Sequence, residues 1–327
     1  MNVGKGLVNE SSVQPPSAIT TSSVFKCVFF TMTGGKMEYL VSVIIPVWND
    51  AGRIRLCIEA LLNQKLDKDC FEVIVVDNAS TDETFEVVSK YPQVTLLSEE
   101  RPGSYVARNK AIHLAKGKYL AFTDSDCIPS ENWLTECLRV AEAQSSIGVI
   151  AGDMRFFIDK NDKVEQRALD FETMFSMNQK INSRNGVSIT ANFFALKETI
   201  VRFGSFNADL KSGGDHELSK RISGAGYETK FCEDGYVMHP ARNVAELLVK
   251  RKRVIGGSWD REKNILKPLK FAWQAIKLFV KRTFQTVVSN KLSVSRKLGL
   301  IGLLFQIFYT SIIEIIRLAF GGISARS

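Results

Sequence analysis

The chain has 327 residues, of which 45% are hydrophobic and 24% are charged, and its formal net charge is +8. The apolar fraction is too high for a disordered chain, and there is no Gly or Pro excess of the kind found in fibrous proteins. Residues 241–327 hold 17 Lys+Arg and 4 Asp+Glu, a net of +13, which leaves 26 basic and 31 acidic residues, a net of −5, in residues 1–240. An acidic body with a basic tail disfavours a generally basic nucleic-acid-binding protein, and the charge split needs another explanation.

Residues 1–37 contain Ser/Thr-rich stretches and one short apolar patch at 24–30. The patch is too brief for the apolar region of a signal peptide, so we predict a disordered arm, with Met37 as an alternative translation start. The six cysteines form no CxxC pair and no metal-like cluster with the three histidines.

From residue 38 onward, short apolar runs alternate with segments whose apolar residues recur at helical spacing. We predict strands at 41–46, 71–76, 94–97 and 119–123, and helices at 51–64, 82–90 and 106–115. The apolar runs are nearly continuous, as in strands that are covered on both faces. This order predicts an α/β domain with a mainly parallel sheet flanked by helices.

Acids and amides follow three of the predicted strands. They are Asn49 and Asp50 after the first strand, Asp77 and Asn78 after the second, and Asp124 and Asp126 after the fourth. In parallel sheets, ligands bind outside the carboxyl ends of the strands. The sequence therefore predicts a functional site at this edge.

The DSD triplet at 124–126 is the sharpest local motif. Two carboxylates at i and i+2 behind a buried strand are hard oxygen ligands suited to Mg²⁺ or Mn²⁺. The sequence has no GxGxxG after the first strand and no GxxxxGK[ST] anywhere, which disfavours a dinucleotide-binding dehydrogenase and a P-loop NTPase. A bound diphosphate would then be held by a metal ion rather than by a glycine-rich loop.

Five segments together resemble glycosyltransferase family 2, whose members have the GT-A fold, a Rossmann-like mixed sheet. They are 43–49 (VIIPVWN), 75–82 (VVDNASTD), Gly103 with 107–109 (ARN), 122–126 (FTDSD) and 213–218 (GGDHEL). The resemblance covers about residues 39–239 in the family's order. It implies transfer of a sugar from a nucleotide-diphosphate sugar with inversion at the anomeric carbon.

The resemblance also implies residue roles. The nucleotide sugar would be bound by Pro46, Trp48, Asn49, Asp50, Asp77, Arg108 and Asp124. Asp126 would bind the Mg²⁺ or Mn²⁺ that bridges the diphosphate, and His239 would complete that site. Three structural alternatives stay open: an apolar strand end for Trp48, a surface ion pair for Arg108 and a core histidine for His239.

Asp215 matches the family's catalytic base, which takes the proton of the acceptor hydroxyl. Gly213 and Gly214 would allow close approach of the acceptor, and Glu217 is a second candidate acceptor contact. A helix N-cap is the structural alternative for Asp215. The chain departs from the family where Gly214 replaces a Glu, and where Asn78 and Ala79 replace an Asp and a Gly. These departures leave the identity of the donor open.

The basic tail starts at 250–253 (KRKR) and continues into a helix with a cationic stripe beside an apolar one. The cationic stripe holds Lys270, Lys277 and Lys281, and the apolar stripe holds Trp273, Ile276, Val280, Phe284 and Val287. Such a pattern is typical of an interfacial membrane helix. The following uncharged segment, 298–313, has 16 residues, whereas a span needs about 20. We therefore favour monotopic attachment over a span or a re-entrant segment, and a core helix hairpin is the remaining alternative.

These patterns divide the chain into a disordered arm (1–37), a GT-A catalytic domain (38–245) and a helical membrane-association region (246–327). Basic flanks favour the cytoplasmic face and an anionic membrane surface. The predicted function is metal-dependent inverting transfer to a polysaccharide or lipid-linked acceptor. Transfer of one sugar per event is expected, because the GxxRW-type motif and several spanning helices of polymerising members are not evident. The alternatives are a nucleotidyltransferase and a membrane-anchored, non-catalytic nucleotide-sugar-binding protein.

Overall fold

The computed structural model describes residues 39–158 and 162–324, so the predicted arm at 1–37 lies outside the described residues. Strands and helices alternate through the first part of the chain. They are β1 (Val41–Val47), α1 (Ala51–Leu62), β2 (Phe71–Asp77), α2 (Thr84–Ser89), β3 (Val94–Ser98), α3 (Ser104–Leu114) and β4 (Tyr119–Phe122).

The second part is more irregular. Its elements are β5 (Ile128–Pro129), α4 (Trp133–Ala141), β6 (Ile147–Phe157), α5 (Gln166–Phe175), α6 (Gln179–Arg184), β7 (Phe193–Leu196), α7 (Lys197–Arg202), α8 (Gly214–Gly224) and β8 (Glu228–Pro240). Three long helices follow: α9 (Val244–Arg261), α10 (Lys267–Val288) and α11 (Val294–Ala319).

The described strands form one sheet in the order β3-β2-β1-β4-β7-β6-β8-β5. The first four are parallel, whereas β7 runs antiparallel to both of its neighbours. β6 pairs with β8 in parallel across two irregularities in register. This mixed, mainly parallel sheet confirms the predicted fold class.

The seven predicted strands and helices of the first part are all observed, with ends that shift by a few residues. The starts of α2 and α3 each differ by two residues, and α2 begins at Thr84 rather than at 82. In α2 the reason is that the Asp82 carboxylate accepts hydrogen bonds from the backbone N–H and the hydroxyl of Thr84. Asp82 therefore caps this helix from outside it.

Apolar clusters cover both faces of the sheet. On one face, Ile54 and Ile58 of α1 pack with Trp133 and Leu138 of α4. On the other, side chains of α3 and α8 pack over β1 and β4. Burial on both faces explains why the strands of the first part are continuous apolar runs. The loops at the strand ends are held by this rigid core.

The C-terminal helices pack on the catalytic domain through shared apolar contacts. Val244 and Leu247 of α9 lie in one cluster with Ala168 of α5 and Leu303 of α11. Since α9 begins at Val244, the predicted domain boundary at 245/246 falls inside a helix. The helical region is thus continuous with the catalytic domain on this side.

The outer faces of α10 and α11 carry exposed apolar side chains. Trp273 is 61% exposed and Phe284 66%, and the rest of the predicted apolar stripe of α10 is exposed as well. α11 is the one helix among the described residues that is long and apolar enough to cross a membrane, and 39% of its most apolar window is buried against the protein. Glu314 and Arg317 are the charged residues that interrupt the apolar sequence of this helix, and they form an ion pair with each other.

Candidate active site

The register of the sheet brings the predicted site residues to one edge. Val47 lies opposite Asp77 and Ile44 lies opposite Phe122, so β1, β2 and β4 end side by side. Asp77, Asp124 and Asp126 therefore follow adjacent strands, as the sequence predicts.

Asp77 offers a free acceptor at the end of β2. Its side chain is 5% exposed, and its Oδ2 accepts from the N–H of Ser80 at 3.2 Å. Its Oδ1 is buried and has no hydrogen-bond partner among the described residues. Because an unpartnered buried acceptor is costly, this oxygen is suited to receive an N–H from a ligand. Trp48 lies near this edge and is 57% exposed, whereas Pro46 is buried within β1 opposite Val76.

Asn49 and Asp50 are engaged in holding neighbouring loops. The Asn49 Oδ1 accepts from the N–H of Thr81 at 2.7 Å. The Asp50 carboxylate accepts from Arg53 Nε at 2.8 Å and from Ser125 Oγ at 2.6 Å. Asp50 therefore ties the start of α1 to the DSD loop. Direct nucleotide contacts by these two residues stay predictions.

Asn78 uses its whole amide to connect β2 to the loop after β3. Its Nδ2 donates to the carbonyls of Glu99 and Arg101, and its Oδ1 accepts from the N–H of Gly103 at 2.7 Å. An Asp at this position could not donate these two bonds. The next residue, Ala79, has a left-handed backbone with φ of 61°, a conformation that favours the glycine found in the family.

Arg108 and Asp124 form an ion pair at the centre of the site. The guanidinium of Arg108 is buried, and its Nη2 donates to Asp124 Oδ1. The Nε of Arg108 is buried without a partner among the described residues. A surface ion pair is therefore the wrong interpretation of Arg108. The side chain lies inside the site with one donor still unused.

Asp126 and His239 lie together, as the resemblance implies for a metal site. The His239 ring is buried, and its Nε2 lies 3.7 Å from Asp126 Oδ2. Cys127 completes a cluster whose ligand atoms lie within 4.8 Å of one another. Burial raises the pKa of the Cys127 thiol well above its usual value, so this group stays a protonated, poor ligand.

The hydrogen bonds of His239 identify which ring nitrogen could bind a metal ion. Nδ1 lies 2.7 Å from the carbonyl oxygen of Pro240, and Arg242 Nη2 lies 3.1 Å from Nε2. Arginine only donates, so Nε2 is the acceptor and Nδ1 carries the hydrogen. Burial lowers the pKa of His239 more than the Asp126 carboxylate raises it, which favours the neutral ring. A carboxylate and a neutral imidazole fit Mn²⁺ or Mg²⁺, provided that Arg242 releases Nε2.

Asp215 lies at the start of α8 beside Tyr105 of α3. The Tyr105 hydroxyl accepts from the N–H of Gly214 at 2.9 Å and lies 3.4 Å from Asp215 Oδ1. Burial, and after it the Asp215 carboxylate, raise the pKa of Tyr105 to about 12. The phenol therefore stays protonated and can donate to Asp215. Tyr105 is a site residue that the sequence analysis missed.

The neighbours of Asp215 are constrained in different ways. Gly213 has a left-handed backbone with φ of 75°, which explains the glycine at this N-cap. A Cβ on Gly214 would lie 2.8 Å from the Tyr105 ring, so the Glu of other members has no space here. The Glu217 carboxylate is occupied by two hydrogen bonds from Arg221, at 2.7 and 2.9 Å. The contact between Glu217 and the sugar acceptor stays a prediction, and the pairing with Arg221 disfavours it.

The basic 250–253 segment divides between two environments. Lys250 and Arg253 line a cavity of 440 Å³ together with Arg53, Asp126 and Arg242. Arg251 instead donates to Ser311 Oγ of α11 at 2.8 Å, and Lys252 is exposed. This division differs from the prediction that the whole 250–253 segment lies at a membrane surface. Lys250 and Arg253 are three residues apart on a helix, and this spacing could have predicted that they share one face.

Comparison with known proteins supports the family that the sequence motifs resemble. Residues 42–202 match the family described as Glycosyl transferase family 2. Glycosyltransferase AglE of Haloferax volcanii is 36% identical over 219 residues, which cover 65% of this chain and 71% of that protein.

Two solved structures share the fold at low sequence identity. Mannosyltransferase PcManGT from Pyrobaculum calidifontis, in complex with GDP-Man and Mn²⁺, has a TM-score of 0.53 at 20% identity over 87% of this chain and 76% of its own. S. aureus TarS in complex with UDP-GlcNAc has a TM-score of 0.50 at 18% identity over 85% of this chain and 90% of its own. The family match, the AglE similarity and the shared fold lead to one conclusion: this chain is a glycosyltransferase and belongs to glycosyltransferase family 2.

Proposed function

We propose that this enzyme is a metal-dependent, inverting glycosyltransferase that moves one sugar per event from a nucleotide-diphosphate sugar to a saccharide or lipid-linked acceptor. The observation that carries the proposal is the convergence of Asp77, the Asp126–His239 pair and Asp215 on one edge of the sheet. Asp77 can bind the nucleobase, the Asp126–His239 pair can hold a metal ion for the diphosphate, and Asp215 can take the proton of the acceptor hydroxyl.

The donor would lie across the ends of β1, β2 and β4. The unpartnered Asp77 Oδ1 accepts an N–H of the base, and the exposed ring of Trp48 offers it an apolar surface. Asp124 and Arg108 lie towards the ribose and the phosphates, and the unused Arg108 Nε supports this placement. GDP-Man and UDP-GlcNAc are bound by the two structural neighbours, and they make suitable first donors to test.

Asp126 and His239 would hold the divalent cation, Mn²⁺ or Mg²⁺. When bound, such a cation neutralises charge on a leaving diphosphate, which stabilises the transition state more than the ground state. Arg242 must then turn away from His239 Nε2, and the adjacent cavity leaves space for its guanidinium.

Asp215 would act as the general base. It takes the proton of the acceptor hydroxyl while that oxygen bonds to the anomeric carbon. The bond from the anomeric carbon to the diphosphate breaks, and the nucleoside diphosphate leaves with the electron pair. Attack opposite the leaving group inverts the anomeric centre. Tyr105 holds the carboxylate in place during this step.

The C-terminal helices would attach the enzyme to the cytoplasmic face of a membrane, where both soluble donor and lipid-linked acceptor are accessible. The exposed apolar face of α10 beside Lys270, Lys277 and Lys281 supports this location. Peripheral attachment is favoured over a span because one face of α11 is buried against α5, α9 and α10.

The Asp215→Asn variant tests the catalytic assignment. We expect sugar transfer to fall by about 10²–10⁴-fold, the usual contribution of a general base, while Mn²⁺-dependent nucleotide binding stays within twofold. The same change at Asp209, an exposed residue paired with Arg101, is the matched control. Full turnover by Asp215→Asn would refute the assignment, and a non-catalytic binder would show no turnover in either protein.

A further inference from the structure

The α7–α8 loop, residues 203–213, leads directly to the proposed general base. Between the end of α7 at Arg202 and the start of α8 at Gly214, the chain forms turns and bends. Gly213 and Gly214 directly precede Asp215, and glycine has the greatest backbone freedom of any residue. Asp215 therefore keeps one position only if other elements hold this loop in place.

Helix α3 holds the two ends of the α7–α8 loop. The side-chain amide of Asn109 exchanges two hydrogen bonds with the backbone of Phe206, at 2.7 and 3.0 Å. At the other end, the Tyr105 hydroxyl accepts from the N–H of Gly214 at 2.9 Å. The residues between these two points need contacts of their own.

The middle of the loop has two weaker contacts with the catalytic domain. Leu210 packs, half-buried, against the apolar cluster that includes residues of α3 and α8. Asp209 forms an ion pair with Arg101, but both side chains are exposed, and such a pair contributes little to stability. Residues 211–213, which join the loop to α8, are held from another direction.

Contacts to residues 211–213 come from the helical region. Arg261, the last residue of α9, donates from Nη1 to the Ser212 carbonyl oxygen at 2.6 Å. Lys211 Nζ lies 3.0 Å from Asp260 Oδ2. Ser324, which follows α11, accepts from Lys211 Nζ at 2.6 Å and donates to Asp260 Oδ2 at 2.6 Å. The end of α9 and the chain after α11 thus hold the part of the loop that adjoins α8.

The position of Arg261 allows it to fix one particular peptide group. Helix α9 approaches the loop closely at Gly257, where a Cβ would lie 2.3 Å from Ser212 Oγ. Arg261, four residues later, lies on the same face of the helix. Its two Nη atoms lie 3.6 Å from the position that a Cβ on Gly213 would take. The guanidinium therefore lies beside the peptide group that joins Ser212 to Gly213.

The orientation of this peptide group decides how α8 begins. Gly213 is the N-cap of α8 with φ of 75°, and its carbonyl accepts the helical N–H of Glu217 at 3.0 Å. Glycine adopts negative φ as readily as positive φ. Without a hydrogen bond to the Ser212 carbonyl, the peptide group could rotate and shift the first turn of α8, which carries Asp215.

We propose that Arg261 is a positioning residue for sugar transfer, which holds the Ser212 carbonyl and thereby fixes Asp215 at the start of α8. This inference rests on the proposed role of Asp215 as general base. It gives the helical region a part in the reaction, because the end of α9 is itself held by the packing of Ile255 and Trp259 on α10 and α11.

Amide hydrogen exchange in the full-length protein tests whether Arg261 holds the loop. Arg261→Met should raise the exchange rate of peptides that contain residues 212–217 by about fivefold, the effect of losing one hydrogen bond. The melting temperature should stay unchanged, because Arg261 is exposed. Arg261→Lys keeps a charged donor and should restore most of the protection. Lys263→Met is the matched control, because this exposed side chain has no hydrogen-bond or ion-pair partner within 39–158 or 162–324.

Steady-state kinetics test whether this support acts on Asp215. Turnover is followed as the nucleoside diphosphate released from GDP-Man or UDP-GlcNAc in the presence of Mn²⁺. Arg261→Met should lower kcat about fivefold, while the donor KM stays within about twofold of wild type. Combined with Asp215→Asn, it should cause no further loss, since both changes act through the same carboxylate.

Any of three results would overturn the proposal. They are unchanged exchange over 212–217 in Arg261→Met, a loss of kcat in Lys263→Met as large as in Arg261→Met, and a full additional loss when Arg261→Met is combined with Asp215→Asn. Failure of the base assignment gives a different pattern, in which Asp215→Asn turns over donor at the wild-type rate. Full activity of Arg261→Met beside an inactive Asp215→Asn would remove the positioning role alone.

Discussion

Tyr105 supports Asp215 across a sequence separation of 110 residues. Its hydroxyl accepts from the N–H of Gly214 and lies within reach of the Asp215 carboxylate. Its ring stacks on Phe206 with centroids 5.6 Å apart. The ring is thus fixed by packing, and the hydroxyl fixes the start of α8. Tyr105 acts on the reaction through Asp215, as a positioning residue.

Replacing Tyr105 by Phe should lower kcat while leaving the donor KM unchanged. Loss of one buried hydrogen bond costs about 1 kcal/mol, which corresponds to about a fivefold lower kcat if the cost falls on the transition state. Tyr119→Phe is the matched control, because the Tyr119 hydroxyl makes no hydrogen bond with the described residues and its ring stacks on Phe194 instead. An equal loss of kcat in both variants would show that Tyr105 contributes only stability.

Gly214 explains one departure from the family in terms of space. A side chain at this position would begin 2.8 Å from the Tyr105 ring. The missing Glu is therefore replaced by an aromatic neighbour that supplies a hydrogen bond of its own. The sequence alone gave no signal for this contact, because no local pattern links residues so far apart in the chain.

At the level of elements, Asn78 joins the end of β2 to the loop that precedes α3. It satisfies two carbonyls and one N–H of that loop. The loop leads directly to Tyr105 and Arg108, so the position of both side chains depends on it. The amide in place of the family's acid thus has a structural explanation.

Asn78→Asp should destabilise the protein. A carboxylate cannot donate to the carbonyls of Glu99 and Arg101, and we expect the free energy of unfolding to fall by about 2 kcal/mol. Urea denaturation provides the measurement. Asn178→Asp is the control, because the Asn178 side chain accepts from Ile181 N as the N-cap of α6 and an Asp serves there equally well. Equal stability of Asn78→Asp and wild type would contradict the proposed role.

The parallel first part of the sheet could be predicted from sequence, whereas the second part could not. β1, β2 and β4 are continuous apolar runs because they are buried on both faces. β6 and β8 are longer, partly exposed and irregular in register. Their pairing depends on tertiary contacts rather than on a local period.

The site was predictable to the extent that its residues follow strands. Asp77, Asp124 and Asp126 were found because carboxyl ends of parallel strands meet at one edge. Arg53, Arg242 and Lys250 were missed, because their approach to Asp126 depends on how α1, β8 and α9 pack together. Asp126 lies in the loop after β4 and His239 lies in β8. The resemblance implied that these two residues lie together, whereas no sequence spacing could show it.

For the whole molecule, the basic residues of the C-terminal region lie in two different environments. Lys250 and Arg253 face the cavity, whereas Lys270, Lys277 and Lys281 lie exposed on α10 near its apolar face. Only the second group is available to a membrane surface. Attachment should therefore depend on α10 and not on the 250–253 segment.

The double variant Trp273→Glu/Phe284→Glu should abolish much of the binding to anionic vesicles. Burial of each aromatic side chain contributes about 1.5–3 kcal/mol, so sedimentation with vesicles should fall about tenfold or more. Both residues are exposed, and the fold should not change. Phe85→Glu, an exposed aromatic of α2, is the control. Undiminished sedimentation of the double variant would refute attachment through α10.

The apolar cluster that joins α5, α9 and α11 has a consequence for how this enzyme can be regulated. A protease that cut the turn between β8 and α9 and released the last three helices would uncover Ala168 and Phe171 and remove Lys250 from the cavity. The remaining fragment would expose an apolar surface and aggregate rather than persist as a soluble enzyme. Under the proposed attachment through α10, cleavage at this turn would therefore leave an aggregated fragment rather than a free, active enzyme.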